Sequence, residues 1–272
     1  MTTRKPGRKP GTERKPGFAP RRRFGQNFLV DAHYVRRIVD AIAPRPGDNL
    51  VEIGPGTGAL TSGLLERSGH LTAIEIDRDL AAALRGRFAA NALDLRESDA
   101  LDVDFASLGT ALRVVGNLPY NISTPLLFHL MAYATSLRDV HVMLQREVVA
   151  RMAAAPGTAD YGRLTVMLQV SFDVERLFVI PPGAFRPVPK VDSAFVRLTP
   201  LGERAPAIAD RAGFVRLVAA AFGQRRKTLR NALASICDEA SLRAARIDPG
   251  ARGETLAVSD FVRLAGALRV NR

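Results

Sequence analysis

The string "GNLPYN", residues 116–121, sets an amide (Asn117), a proline (Pro119) and a phenol ring (Tyr120) at the end of a short apolar run, residues 112–116. Those residue types together can hold a planar exocyclic amine on a flat aromatic base. Such a nitrogen is a weak nucleophile because its lone pair is delocalised into the ring. To make it react, a site must fix its two N–H groups so that the lone pair turns toward an electrophile, which takes two acceptors in fixed positions. The Asn117 side-chain oxygen can be one and the backbone carbonyl of Leu118 the other. Pro119 fixes its own φ and restricts the residue before it, which aims that carbonyl. Tyr120 offers a stacking face for an extruded base. An amide is too weak a base to abstract a proton, so the role expected of Asn117 is positioning, with oriented dipoles meeting the charge that develops on nitrogen.

Chemistry of this kind needs a frame that brings residues 116–120 to a ligand. Asp31 reads as an N-cap, and Tyr34, Val35, Ile38, Val39 and Ile42 follow at helical spacing until Pro44 and Pro46. Continuous apolar strands and helices then alternate. Strands are expected at 49–53, 71–76, near 94–99, 112–116 and 139–144, with helices at 57–67, 79–90 and 124–134. Apolar strands between amphipathic helices imply a parallel sheet covered on both faces, so the fold class is α/β, doubly wound and Rossmann-like. In such sheets ligands sit beyond the carboxyl ends of the strands, where residues 116–120 fall. Residues 191–198 alternate like a half-exposed antiparallel strand. From about residue 203 the strand signal stops, and residues 203–272 read as a small all-helical domain following the α/β domain at 21–202.

The first strand runs into a glycine-rich turn, Gly54-Pro55-Gly56-Thr57-Gly58, and then a helix. Glycines allow the sharp turn and close backbone approach, and the helix N-terminus offers free N–H groups. Glu75 closes the next strand, where a carboxylate accepts from ribose hydroxyls. Strand, glycine turn, helix and acid in that order mark a nucleotide-type site. Two ligands suit it, NAD and S-adenosylmethionine. A dinucleotide turn wants its third glycine where Ala59 stands, one place after Gly58. A second acid, Asp99, follows the third strand, where it can reach an adenine amino group. The spacing and the two acids favour S-adenosylmethionine.

Residues 1–23 hold nine Lys or Arg, among them Arg21, Arg22 and Arg23, against the single acid Glu13. With "RKPG" present twice, residues 1–20 form a basic tail expected to be disordered alone. It is either a polyanion-binding arm or a solvated extension. The chain as a whole carries a net charge of +12. No apolar stretch reaches the length of a membrane span, and the one cysteine, Cys237, excludes an intrachain disulfide and reads as core packing beside Leu229, Leu233 and Ile236. A cytoplasmic monomer without a metal is expected. The run Arg225-Arg226-Lys227 between two helices of the small domain suits phosphate contacts, whereas Arg146 and Arg151 flank the fifth strand and its helix.

In "RRRFGQNFLVD" (21–31), "VEIGPGTGALT" (51–61), "IEIDRDLA" (74–81), "SDAL" (98–101), "VGNLPYNISTPLLFHL" (115–130), "MLQREVVARMAA" (143–154), "YGRLTVMLQ" (161–169), "PPGAFRPVPKVDSAFVRL" (181–198) and "FGQRRKTLRNAL" (222–233), the chain resembles the bacterial small-subunit ribosomal RNA adenine N6,N6-dimethyltransferases. The resemblance runs from about Arg21 to Leu268. It implies transfer of four methyl groups from S-adenosylmethionine to two adjacent adenosines in the loop of the last hairpin of 16S rRNA, inside the small ribosomal subunit. It implies cofactor contacts at Asn27, Leu29, Gly54, Gly56, Glu75, Asp99 and Asn117, with residues 25–31 strapped over the cofactor. Phe185 is either a second stacking face for the adenine or a wedge between domains. The related macrolide-resistance methyltransferases of large-subunit RNA share the fold, but "NLPYNISTPL" and the full "FGQRRKTLRNAL" segment look like the housekeeping enzymes. A glutamine methyltransferase would carry a second proline where Leu118 stands. The long basic tail departs from the family pattern.

Overall fold

The computed structural model describes residues 26–224 and 226–270. The expected tail, with Arg21–Arg23, and Arg225 lie outside the described residues.

The chain enters through a two-residue strand, β1 (Phe28–Leu29), and then α1 (Ala32–Ile42). Asp31 caps α1 as expected: its Oδ1 accepts from the amides of His33 at 2.8 Å and Tyr34 at 3.4 Å, an arrangement that contributes about 1 kcal/mol. The helix buries Ile38, Val39 and Ile42 and ends before Pro44. Next come β2 (Asn49–Ile53), α2 (Ala59–Ser68), β3 (Leu71–Glu75), α3 (Arg78–Arg87), β4 (Leu93–Glu97), β5 (Leu112–Asn117), α4 (Ser123–Ala132) and β6 (Leu137–Gln145). After β6 follow α5 (Arg146–Met152), α6 (Arg163–Gln169), β7 (Phe172–Ile180), β8 (Phe185–Arg186) and β9 (Ser193–Pro200). Seven strands form one sheet in the order β4-β3-β2-β5-β6-β9-β7. The first five are parallel, and β9 runs antiparallel to both β6 and β7.

One face of the sheet packs α1, α2 and α3 through Ile38, Leu60, Leu64 and Leu84. The other packs α4 and α5 through Leu126, Leu127, Leu130 and Val149. The doubly wound α/β reading therefore holds. Strand order reverses between β2 and β5, which opens a crevice at their carboxyl ends. There Ile53 pairs with Gly116, and a Cβ on Gly116 would lie 2.5 Å from the Ile53 carbonyl oxygen. Only glycine lets the two strand ends approach this closely.

The opposite, amino end of the sheet is closed by a buried ionic cluster. Arg113 Nη1 meets Asp48 Oδ2 at 2.7 Å, its Nε meets Asp139 Oδ2 at 3.0 Å, and its Nη2 donates to the Ile42 carbonyl at the end of α1 at 2.6 Å. Burial works to raise both carboxyls, yet their bonds to Arg113 and their other partners hold them below the usual range.

One expectation needs correction, and one strand was not expected. β9 is not half-exposed: Ser193, Ala194, Phe195, Val196 and Leu198 are all buried, because β9 lies between β6 and β7. The outer strand is β7, where Asp173, Glu175 and Arg176 interrupt the apolar pattern, as suits an edge. That interruption hid the strand in the sequence.

Past Pro200 the chain forms α7 (Arg211–Gly223), α8 (Leu229–Ala232), α9 (Glu239–Ala244) and α10 (Val258–Val270). Their core gathers Phe214, Leu217, Leu229, Leu233, Phe261 and Leu264, with Cys237 half-buried at its edge. It also draws in Tyr161, Val166, Met167 and Val170, and the Tyr161 hydroxyl donates to the Leu256 carbonyl at 2.7 Å. The chain changes character near the expected boundary, but the helical core reaches back across it to α6.

Candidate active site

At the β2–β5 crevice lies a cavity of about 280 Å³, and most of the expected site residues line it: Asn27, Leu29, Gly54, Gly56, Glu75, Asp99 and residues 117–120. Gly54, Gly56 and Gly58 have φ of 65°, 57° and 78°, the left-handed region that glycine enters without strain. A Cβ on Gly56 would sit 3.0 Å from the Phe28 ring, so the loop is crossed closely by the chain of β1. Residues 28–29 are held there by pairing with β8, Phe28 with Arg186 and Leu29 with Phe185, and by the amide of Val30, which donates to the Ala184 carbonyl at 2.9 Å. The segment that the resemblance casts as a strap thus lies across the glycine loop.

Two carboxyls close the strands beside the loop. Glu75 takes the amides of Gly56 at 3.1 Å and Asp77 at 2.9 Å. Burial, the largest influence, pushes its pKa up, and these amide bonds work against it. Asp99 accepts from the Leu101 amide through Oδ1 at 2.9 Å; among the described residues its Oδ2 has no donor. Glu52, one strand over, also lines the cavity. It is 1% exposed, and the Thr61 hydroxyl donates to its Oε2 at 2.7 Å. Burial, with repulsion from Glu75, outweighs that bond and pushes Glu52 up to about 7.

Asn117 is oriented by its partner. Its Nδ2 donates to the Asn27 carbonyl at 2.7 Å. A carbonyl can only accept, so the amide nitrogen must face the strap and Oδ1 must face the other way. In the turn that follows, the carbonyls of Pro119 and Tyr120 accept from the Ile122 amide at 3.2 Å and the Ser123 hydroxyl at 3.0 Å. The Leu118 carbonyl has no donor among the described residues. Asn117, Leu118 and the half-buried Tyr120 line the cavity side by side, with Asn117 Oδ1 and Leu118 O accepting from no donor among the described residues. The Tyr120 hydroxyl meets Ser193 Oγ at 2.7 Å. Burial raises the Tyr120 pKa, so the phenol is neutral at physiological pH.

The structure does not bring Phe185 to this cavity. Phe185 is 0% exposed and belongs to the core cluster with Leu29, Ile180 and Phe195. In this state it has no face free to stack on a base, and it is not a wedge against the helical core either. Arg226 and Lys227 are exposed in the turn between α7 and α8. Arg146 and Arg151 pair instead with Asp192 at 3.2 Å and Glu147 at 3.5 Å. Sequence reasoning assigned no role to Glu52, Thr61, Phe28 or Ser193. The lone acid in the apolar run "NLVEI" was a readable signal for Glu52.

The donor set fits S-adenosylmethionine: a strapped glycine loop, a carboxylate after each of two adjacent strands, and no third glycine spaced for a pyrophosphate. A Rossmann-like α/β sheet with this cavity and a helical domain behind it defines an S-adenosylmethionine-dependent methyltransferase. The family model for ribosomal RNA adenine dimethylase matches residues 17–269. This chain belongs to that family and is an S-adenosylmethionine-dependent rRNA adenine dimethyltransferase. It is 60% identical over 242 residues to the ribosomal RNA small subunit methyltransferase A of Aromatoleum aromaticum, covering 89% of this chain and 91% of that protein. Among solved structures it is similar to a dimethyladenosine transferase from Plasmodium falciparum, with a TM-score of 0.74, 25% identity, and coverage of 87% of this chain and 95% of that one. It is also similar to the 23S rRNA methyltransferase ErmE, with a TM-score of 0.67, 28% identity, and coverage of 89% and 100%.

Proposed function

We infer that this chain dimethylates N6 of two adjacent adenosines in the loop of the 3'-terminal hairpin of 16S rRNA, within the small ribosomal subunit and late in its assembly. The 60% identity to a small-subunit methyltransferase, against 28% to the 23S enzyme, supports the choice of RNA. The observation that carries the chemistry is the Asn117–Asn27 bond, which commits the amide oxygen to the side away from the strap, where a base can meet it.

When bound, S-adenosylmethionine supplies an electrophilic methyl group on a sulfonium. The chain's own residues do the rest. Glu75 would accept from the ribose hydroxyls, Asp99 Oδ2 would accept from the cofactor's adenine amino group, and Gly54, Asn27 and Leu29, which line the same cavity, would close around the ligand. Asn117 Oδ1 and Leu118 O take the two N–H groups of the target amine while Tyr120 stacks on its ring. Those dipoles also face the positive charge that grows on nitrogen during transfer. Arg226 and Lys227 suit phosphate contacts that set register rather than sequence. Arg21–Arg23 and Arg225, outside the described residues, extend this basic set. Among the described residues no helix is long and apolar enough to cross a membrane, and the reading is of a monomer working on ribosomal particles in the cytoplasm.

The test is to incubate the protein with labelled S-adenosylmethionine and under-methylated small-subunit particles, digest the RNA and identify the labelled nucleoside. Label in N6,N6-dimethyladenosine is expected. Its absence, or label confined to large-subunit RNA offered in parallel, would sink this function.

A further inference from the structure

We propose that Ser193 is a positioning residue for the target base, acting through the Tyr120 hydroxyl; this rests on the function inferred above. An antiparallel strand starts where its parallel neighbours end. β9 runs against β6, so its first residue, Ser193, stands at the reacting edge reached by the carboxyl ends of β5 and β6. Ser193 pairs with Gln145 on one side and Ile180 on the other and is 0% exposed. The residue before it is pinned as well, since the Arg146 amide donates to the Asp192 carbonyl at 2.9 Å. Its Oγ is therefore a fixed post, and its one partner among the described residues is the Tyr120 hydroxyl at 2.7 Å.

Tyr120 itself sits in a turn, outside any strand ladder. Its carbonyl is held by the Ser123 hydroxyl at 3.0 Å and its hydroxyl by Ser193. These two points fix the backbone at one end of the side chain and the far tip of the ring at the other, which removes the freedom of the ring to swing. A stacking wall that cannot swing holds the base in line with the methyl donor. Without Ser193 the ring keeps its chemistry but loses its angle.

The experiment is a double-mutant cycle with Ser193→Ala, Tyr120→Phe and the pair. It reads single-turnover methyl transfer to small-subunit particles, binding of S-adenosylmethionine by calorimetry, and thermal melting. Each single change should slow transfer about tenfold, the worth of one well-placed hydrogen bond, with cofactor affinity within about twofold of the parent. The double variant should be no slower than either single one. A 2-aminopurine at the target position of a hairpin substrate should be quenched less in both variants than in the parent. Losses that multiply in the double variant, or an unchanged rate in Tyr120→Phe, overturn the inference even if Ser193→Ala fails to fold. A parent protein that labels no adenosine would refute the inferred function instead.

Discussion

Glu52→Gln tests whether the cavity holds a protonated carboxyl. Glu52 is fully buried, and its ordinary value of 4.5 rises to about 7 in the folded chain. A raised acid pKa means that the folded state keeps a proton which the unfolded chain has released. The stability contributed is thus fully present below about pH 4.5 and is lost as pH rises through about 7. Linkage between those two values gives a loss of about 2–3 kcal/mol from this one group between pH 5 and pH 8. Gln keeps an oxygen for the Thr61 hydroxyl and removes the titration. Urea unfolding of both proteins at several pH values across this range compares them with every ionisation shared except Glu52 and, through their mutual repulsion, Glu75. The variant should gain on the parent by that amount as pH rises. A difference between the two proteins that stays constant across the range would refute the reasoning.

Asn117→Ala should cost about 1 kcal/mol through the lost bond to the Asn27 carbonyl, read by urea unfolding, and lower single-turnover transfer by about 10²-fold, as losing one preorganised dipole does elsewhere. Gly116→Ala should cost about 1–3 kcal/mol or prevent folding, since its new carbon meets the Ile53 carbonyl at 2.5 Å; unfolding curves check it. Arg113→Ala removes the buried cation shared by Asp48 and Asp139, leaving Asp48 with Arg138 and Asp139 with His141, and should cost about 3–5 kcal/mol, measured by urea unfolding at neutral pH. Deleting residues 1–20 should weaken binding to a ribosomal RNA hairpin and flatten its salt dependence. An intact slope would show that the tail makes no phosphate contact.

The parallel half of the fold was legible because each strand and helix carries its own pattern. The apolar run of β5, the glycines after β2 and the cap at Asp31 are local signals, and local signals survive in a single sequence. What was hidden is long-range. Leu29 finds Phe185 through β1–β8 pairing, and no pattern within either segment announces the other. Before the family resemblance was considered, residues 25–31 read only as a polar turn ahead of a helix. Phe185 went wrong for a related reason: an aromatic beside prolines looks like a stacking wall, but burial is decided by what packs on it. Ser193 lies 73 positions from Tyr120, and its role depends on β9 running antiparallel between two other strands.

Dimethylation gives the paired acceptors and the pinned ring separate tasks. In the first transfer the amine has two N–H groups, and Asn117 Oδ1 and Leu118 O can hold both. The product has one N–H left, so in the second transfer one acceptor has no partner and the polar grip is halved. The ring must then supply more of the orientation, because stacking does not depend on how many methyl groups the nitrogen carries. A phenol free to swing could not do this. In the proposed arrangement a tyrosine tied at its backbone carbonyl by Ser123 and at its hydroxyl by Ser193 can, and the two ties would make the same pocket serviceable for both methyl groups.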